Sequence, residues 1–337
     1  MLYVWKLVRS AVCLLACVPV GAAASSLGLG YSLGVDYRDV NIKARVDMDA
    51  EAIWQAYGIY DRADISIPGI ETVVHQITFG ADHIVSDTLD SSFELTYTHD
   101  MLNRITSVGP AAKLYYTVLA GDGALATPSG ATEDQILQRE IEEALSDGPR
   151  TTAAGSELFS LMAGLDVHSY NLPVGGESRT YTNPAGRTKT VEALSSELSV
   201  LQAFPTIGLD LSLWQGRIRP SVSGSYYLYS QDPNAMADRL YQVYPASAAI
   251  SRVNLLVSGF LLSSWQAGVS VKLPDRMRLS LNYGRQLFVS PRVWADLYAV
   301  KLSKNFLDRL RADLGCSYSA LEGVGQVLGN LSLTLKF

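Results

Sequence analysis

Hydrophobic and polar residues alternate with a period of two along most of the chain, a spacing that sends successive side chains of a strand to opposite faces. Leu27, Leu29, Tyr31, Leu33, Val35 and Tyr37 share one face, with Gly28, Gly30, Ser32, Gly34 and Asp36 on the other. A helix would scatter these apolar groups around its axis. The next run sets Ile42, Ala44, Val46, Met48, Ala50 and Ala52 against Lys43, Arg45, Asp47, Asp49 and Glu51, so that five consecutive positions of one face are charged. Similar alternation recurs at Ile77-Phe79-Ala81, Phe93-Leu95-Tyr97, Leu114-Tyr116-Val118, Phe159 to Val167, Ile207 to Leu213 and Val222 to Leu228. It continues at Trp265 to Leu273, Met277 to Tyr283, Tyr298 to Leu302 and Leu310 to Tyr318. Each run is about long enough to cross a bilayer obliquely. The pattern predicts an all-β fold, a closed antiparallel up-and-down transmembrane β-barrel with hydrocarbon outside and a polar lumen inside.

Connections set the strand count. Gln215-Gly216-Arg217, Pro274-Asp275-Arg276 and Tyr60-Asp61-Arg62 read as tight turns, and longer connections are expected at 100 to 110, 169 to 190, 230 to 252, 285 to 293 and 320 to 326. Bacterial barrels place short turns in the periplasm and long loops outside, which with both termini in the periplasm requires an even number. The tally is 14 strands, with 12 as the alternative. Two regions depart from this rhythm. Thr132-Glu133-Asp134-Gln135 is a capping-box pattern, and Ile136, Leu137, Ile141, Ala144 and Leu145 follow at helical spacing, predicting a short amphipathic helix over 132 to 146 in a periplasmic connection. Residues 190 to 203 fit either a helix, through Val191, Leu194, Leu198 and Leu201, or a strand over Leu198 to Phe204.

Composition agrees with lipid contact. The 337 residues are 48% hydrophobic and only 18% charged, against roughly 25% charged in soluble domains. Beyond the first 24 residues no stretch approaches the roughly 18 apolar residues of a spanning helix. Residues 1–24 read as a secretory signal peptide, with Lys6 and Arg9 ahead of an apolar run from Ala11 to Val20 and Ala22-Ala23-Ala24 before Ser25; residues 25–337 are the expected barrel. A competing lipoprotein reading uses Leu14-Leu15-Ala16-Cys17 but leaves a very short apolar region ahead of the cleaved bond. Cleavage after Ala24 removes Lys6 and Arg9, taking the net charge from −6 to 25 − 33 = −8, a poor balance for nucleic-acid binding. Cys13 and Cys17 lie in the signal, so Cys316 remains alone and no internal disulfide can form.

The carboxy-terminal run Leu331-Ser-Leu333-Thr-Leu335-Lys-Phe337 alternates strictly and ends on an aromatic residue. It resembles the terminal strand of Gram-negative outer-membrane barrels, which implies outer-membrane lipid as the surroundings and recognition of Leu331, Leu333, Leu335 and Phe337 by the barrel-assembly machinery during insertion. Tyr57-Gly58-Ile59-Tyr60-Asp61-Arg62-Ala63-Asp64-Ile65-Ser66-Ile67-Pro68 looks like a hairpin of putative transporter barrels, including the family of the MetA pathway of phenol degradation. That resemblance implies a pore for small organic molecules.

Interfacial aromatics are expected at Trp54, Trp214, Trp265, Trp294, Tyr226, Tyr298 and Phe337. The inward parity assigns Asp36, Lys43, Arg45, Asp47, Asp49, Glu51, Asp210, Arg219, Lys272, Arg278, Lys301, Arg311 and Asp313 to the lumen, where they would filter ions or pair across it. His75, His83 and His99 fall on the lipid parity, whereas His168 falls on the inner one, two residues from Asp166 and with Ser160 on the same face. The four histidines lack metal-ligand spacing and no Gly-rich phosphate loop is present, so no cofactor is implied. Three functions fit: a passive channel or transporter for small solutes, a structural barrel whose outer loops, such as 169 to 190 with Tyr170, Tyr181 and Asn183, meet a partner, or a membrane enzyme centred on Asp166 and His168.

Overall fold

A computed structural model describes residues 25–34, 37–49, 53–67, 70–101, 106–119, 157–174, 178–182, 188–192, 196–214, 216–232, 261–289, 292–306, 309–321 and 324–336. The signal peptide, the helix over 132 to 146, Asp36, Glu51, Asn183 and Phe337 lie outside the described residues.

Among the described residues every regular element is a strand. In chain order they are β1 (Ser25–Gly34), β2 (Tyr37–Asp47), β3 (Trp54–Ile67), β4 (Ile70–Ser86), β5 (Leu89–Asp100), β6 (Thr106–Leu119) and β7 (Glu157–Val174). Then follow β8 (Ser178–Thr182), β9 (Thr188–Glu192), β10 (Ser196–Leu211), β11 (Ile218–Tyr226), β12 (Leu228–Tyr229), β13 (Leu261–Leu273), β14 (Met277–Phe288), β15 (Trp294–Phe306), β16 (Leu310–Leu321) and β17 (Val324–Lys336). Each barrel strand pairs antiparallel with the next, β17 pairs back onto β1, and β10 pairs with β11, so the sheet has no free edge. β12 continues β11 in the same register against β10 after an interruption at Tyr227, giving a closed ring of 14 strands. β8 and β9 form a separate two-stranded hairpin in the connection between β7 and β10.

Side-chain parity is continuous around the ring, because directly paired residues of antiparallel strands share a face. Leu29 pairs with Ile42 and Leu333, Phe79 with Leu95, Leu165 with Ala112, Tyr298 with Tyr283 and Tyr318, and Leu314 with Leu302 and Leu331. This face carries the large exposed apolar residues, including Phe79 at 59%, Ile207 at 72% and Leu314 at 61% exposure. Polar and aromatic girdles bound it. At the end where Ser25 and Lys336 lie, Trp54 stacks on His83 at 3.9 Å. At the other end Arg62 pairs with Asp64 at 3.0 Å and the Tyr60 hydroxyl meets His75 Nδ1 at 2.9 Å. His83 and His75 are eight residues apart on β4, which at ~3.3 Å per residue and ~40° tilt separates the girdles by about 20 Å.

The turns explain the register. Asp275 and Arg276 both adopt left-handed φ of 58° in the three-residue connection Pro274-Asp275-Arg276, across which Leu273 pairs with Met277, and Trp214 (49°) and Gly216 (75°) lie in the reversal into β11. The Asp49 carboxylate accepts the Ile53 and Trp54 backbone N–H groups at 2.7 and 2.9 Å, turning the chain from β2 into β3. Three expectations are corrected here. Tyr60-Asp61-Arg62 is no turn: β3 runs unbroken from Trp54 to Ile67, because the polar triplet alternates faces, Asp61 inward and Tyr60 and Arg62 outward. Tyr37 lies on the inner face, buried, because the chain reverses between Gly34 and Tyr37 and the apparent run from Leu27 to Tyr37 spans two strands. Tyr170 belongs to β7 rather than an outer loop, and the long β7–β10 pairing carries the strand on to Val174. Over 196–203 the chain is strand rather than helix.

Glycines let large inner side chains lie against the wall. A Cβ at Gly80 would come within 2.2 Å of the ring of its direct partner Tyr57, and one at Gly109 within 2.0 Å of His168. Gly80→Ala should cost about 1–3 kcal/mol of overpacking, checked by the denaturant midpoint. In a Tyr57→Ala background the cost should vanish, which separates ring displacement from a backbone effect.

Candidate functional site

The inner face of a 14-strand ring is the site available to a solute. At ~4.8 Å between strands and ~40° tilt, the backbone radius is about 14 Å. Eight strands are just filled by their own side chains, so this ring encloses more space than its residues fill. A cavity of about 370 Å³ opens inside it, lined among others by Lys113, Tyr115, Asp166, Phe204, Thr206, Ser225, Ser264, Gln266 and Gln286.

Charge on the inner face is divided by wall. From β2 to β10 the pairing turns Asp39, Asp47, Asp61, Asp82, Asp90, Glu94, Asp100, Asp166 and Asp210 inward, together with Lys43, Arg45 and Lys113. From β11 to β17 it turns Arg219, Lys272, Arg278, Lys301, Arg311 and Lys336 inward, with Asp313 among them. One side of the lumen is therefore predominantly acidic and the other predominantly basic. Asp49 stands past the end of β2, where its carboxylate holds the turn described above.

Local contacts fix these groups. Arg45 reaches across β3 to Asp82 at 3.2 Å, both side chains nearly buried. Glu94 accepts the Tyr57 hydroxyl at 2.6 Å and pairs with Lys113 at 3.5 Å. Asn41 donates to Asp61, and Gln55 to Asp47 at 2.7 Å. Asp313 takes Arg311 Nε at 2.9 Å and the Ser332 hydroxyl at 3.1 Å. Three inward atoms, Asp39 Oδ1, Arg45 Nε and Gln55 Oε1, are shielded yet have no protein hydrogen-bond partner. In a dry interior each would cost about 1–3 kcal/mol, whereas a wet lumen satisfies them.

Towards the end opposite Ser25 and Lys336 the lumen is lined by rings. Phe204 lies at 5.6 Å and 5° from His168 and at 4.8 Å from Tyr227. Tyr170 donates to Gln202 at 3.0 Å, Gln202 to Tyr229 at 2.9 Å, and Tyr229 to the Leu261 carbonyl at 2.7 Å. Tyr227, Leu261, Phe288 and Ala295 pack together beside them. This cluster thickens one side of the wall above the cavity.

The candidate catalytic set is not assembled. His168 shares the inner face with Asp166 and Ser160 but is engaged by the rings of Tyr170 and Phe204, while the Ser160 hydroxyl accepts from Thr117 at 3.4 Å. No base therefore sits beside a nucleophile there. His75, His83 and His99 are on the outer face, and the described residues hold no cluster of metal-ligating side chains. Inward charges beyond those assigned by sequence parity are Asp39, Asp61, Asp82, Asp90, Glu94, Asp100, Lys113 and Lys336. Parity alone could have found Asp82, Glu94 and Lys113, each flanked by lipid-facing neighbours. Asp61 was hidden by the assignment of its triplet to a turn.

No family model matches the chain, and no curated protein matches it. Among solved structures it is similar to the CymD monoaromatic hydrocarbon channel, at 11% identity over 94% of this chain and 89% of that one, with a TM-score of 0.44. The KdgM porin is 7% identical over 93% and 99% of the two chains, with a TM-score of 0.39. The translocator domain of the autotransporter NalP from Neisseria meningitidis is 10% identical over 99% and 96%, with a TM-score of 0.35.

Proposed function

We propose that the chain is exported through residues 1–24, inserted into the outer membrane with its termini in the periplasm, and acts there as a passive channel for small polar solutes. The observation that carries the reading is the division of one closed sheet into an apolar outer belt and a charged inner face around a cavity of about 370 Å³. Hydrocarbon accepts the first surface and would reject the second. Leu331, Leu333 and Leu335 face outward on the closing strand, where the assembly machinery could read them together with Phe337.

Opposed acidic and basic walls give the path a transverse field, which orients dipolar solutes and water while leaving an apolar solute without compensation for the water it would displace. The ring cluster around Phe204 and Tyr227 narrows the path where Phe204 borders the cavity.

Purified full-length barrel in planar bilayers should give stable ion-conducting steps; a barrel that inserts but stays silent would favour a structural role with a closed lumen. The two faces should also respond oppositely to charge. Leu314→Arg, on the lipid face near mid-strand, should lower folding stability in bilayers by about 2–4 kcal/mol, whereas Ser317→Arg, facing inward on the same strand, should cost less than about 1 kcal/mol. Denaturant titration of folded barrel in lipid vesicles reads both.

A further inference from the structure

The cations of the basic wall crowd one end of it. Within β11 to β17, Arg219, Lys272, Arg278, Lys301, Arg311 and Lys336 all lie towards the end at which β1 begins, and beyond Lys301 the inward strand positions carry no charge. What faces the lumen there is a field of amides and hydroxyls, with Gln266, Asn282, Gln286 and Gln326 as its amides and Ser223 and Ser317 among its hydroxyls. Two cavities open on this field, one of about 370 Å³ and one of about 230 Å³, and they adjoin through Gln266, Gly284 and Leu297, which line both. Small-molecule sites occupy roughly 300–1,000 Å³, so the joined trough is of the size that holds a small solute. Elsewhere on the inner face polar side chains are spent on each other, as in Arg45 with Asp82 and Glu94 with Lys113. By contrast Gln266, Asn282, Gln286, Gln326 and Ser223 make no side-chain hydrogen bond to another described residue. Asp166 borders the larger cavity from the opposite side, and Phe204 lays a ring beside it.

From this arrangement we propose that the trough is a binding site for a neutral polyhydroxylated solute, a small saccharide, on its way through the lumen. Amides and hydroxyls both donate and accept, and so does each hydroxyl of a sugar, so every group on the wall finds a complement. An apolar body would leave those donors and acceptors unpaired. Beyond Lys301 the wall offers an ion no opposite charge. The Asp166 carboxylate, acceptor only, suits a pair of neighbouring hydroxyls, and the Phe204 ring suits the C–H face of a sugar. Neutral hydrogen bonds exchanged with water gain little each, so binding should be weak, of millimolar order, as a solute that must leave again requires. The inference rests on the reading of the lumen as a channel, because the trough is reached only from inside the ring.

The test uses the full barrel, with maltose and sucrose as the probes and a polyethylene glycol of similar mass, rich in acceptors but poor in donors, as the comparison. In planar bilayers a saccharide should lower the ion current in a saturable way, whereas the glycol should lower it only in proportion to its concentration. Calorimetry on the barrel in detergent micelles reads saccharide binding independently of conductance. Gln266→Leu, close in volume but without the amide that borders both cavities, should weaken that binding about tenfold, the scale of one or two lost neutral hydrogen bonds. Asn330→Leu, facing inward on β17 but outside both cavities, should bind as the parent does. Heat-modifiable migration on a gel confirms that each variant is folded, and should Gln266→Leu fail to fold, Gln286→Leu is judged by the same criteria. Equal saccharide binding in Gln266→Leu, equal loss in Asn330→Leu, or no saturable binding of either saccharide by the parent overturns the site. A barrel that conducts but ignores both saccharides removes the site and leaves the channel standing. One that is silent but binds them through Gln266 does the reverse.

Discussion

Backbone N–H and C=O groups withdrawn from water must find partners, and a sheet with two ends leaves two rows of them open. In this chain both ends vanish, β1 into β17 and β10 into β11, and the remaining features depend on that closure. A ring admits one inside and one outside, so a residue's parity on its strand settles its surroundings. That is why Phe79 and Leu314 can stand exposed on the outer surface without making the protein unstable, and why Asp82 and Glu94 can face inward, where Arg45 and Lys113 meet them. Stability is drawn from hydrogen bonding around the closed sheet rather than from a dry core, and the described buried apolar residues are correspondingly few.

Strand number then sets what the interior can do. Fourteen strands make a ring too wide for side chains alone to fill, and residues such as Tyr57 and His168 lie over partner glycines instead of reaching across. The enclosed space is lined by polar and charged groups, and its walls differ in sign. Because the acidic strands are consecutive from β2 to β10 and the basic ones from β11 to β17, sequence order is converted by up-and-down topology into a charge difference across the lumen. The same conversion brings Lys272, Arg278 and Arg311 together: they sit on three strands and become neighbours through pairing.

Alternation made the fold legible, since a period of two survives without any knowledge of partners: the all-β class, the ring of 14 and the lipid parity of His75, His83 and His99 could be read from it. What failed was local. A reversal of two residues between Gly34 and Tyr37 preserves apparent parity in the sequence while flipping the true face, so Tyr37 was placed on the wrong side. The polar triplet Tyr60-Asp61-Arg62 mimics a turn, though each residue has its own partner: Asp61 receives the Asn41 amide of β2 inside, while outside Tyr60 meets His75 of β4 and Arg62 pairs with Asp64 further along β3. The small basic cavity where β13 turns into β14 was illegible because its four cations, Lys272, Arg276, Arg278 and Arg311, are up to 39 positions apart, and only the register between strands makes them adjacent.

The most direct test of the closed, two-faced ring compares adjacent residues of β16 in a bilayer. Cys316 is exposed on the outer face and Ser317 is its inward neighbour. A nitroxide on Cys316 should be relaxed by oxygen dissolved in the lipid and be shielded from a water-soluble nickel chelate. On Ser317→Cys in a Cys316→Ser background, the order should reverse. Similar accessibility at the two positions, or a nitroxide on Cys316 that meets water, would contradict the account.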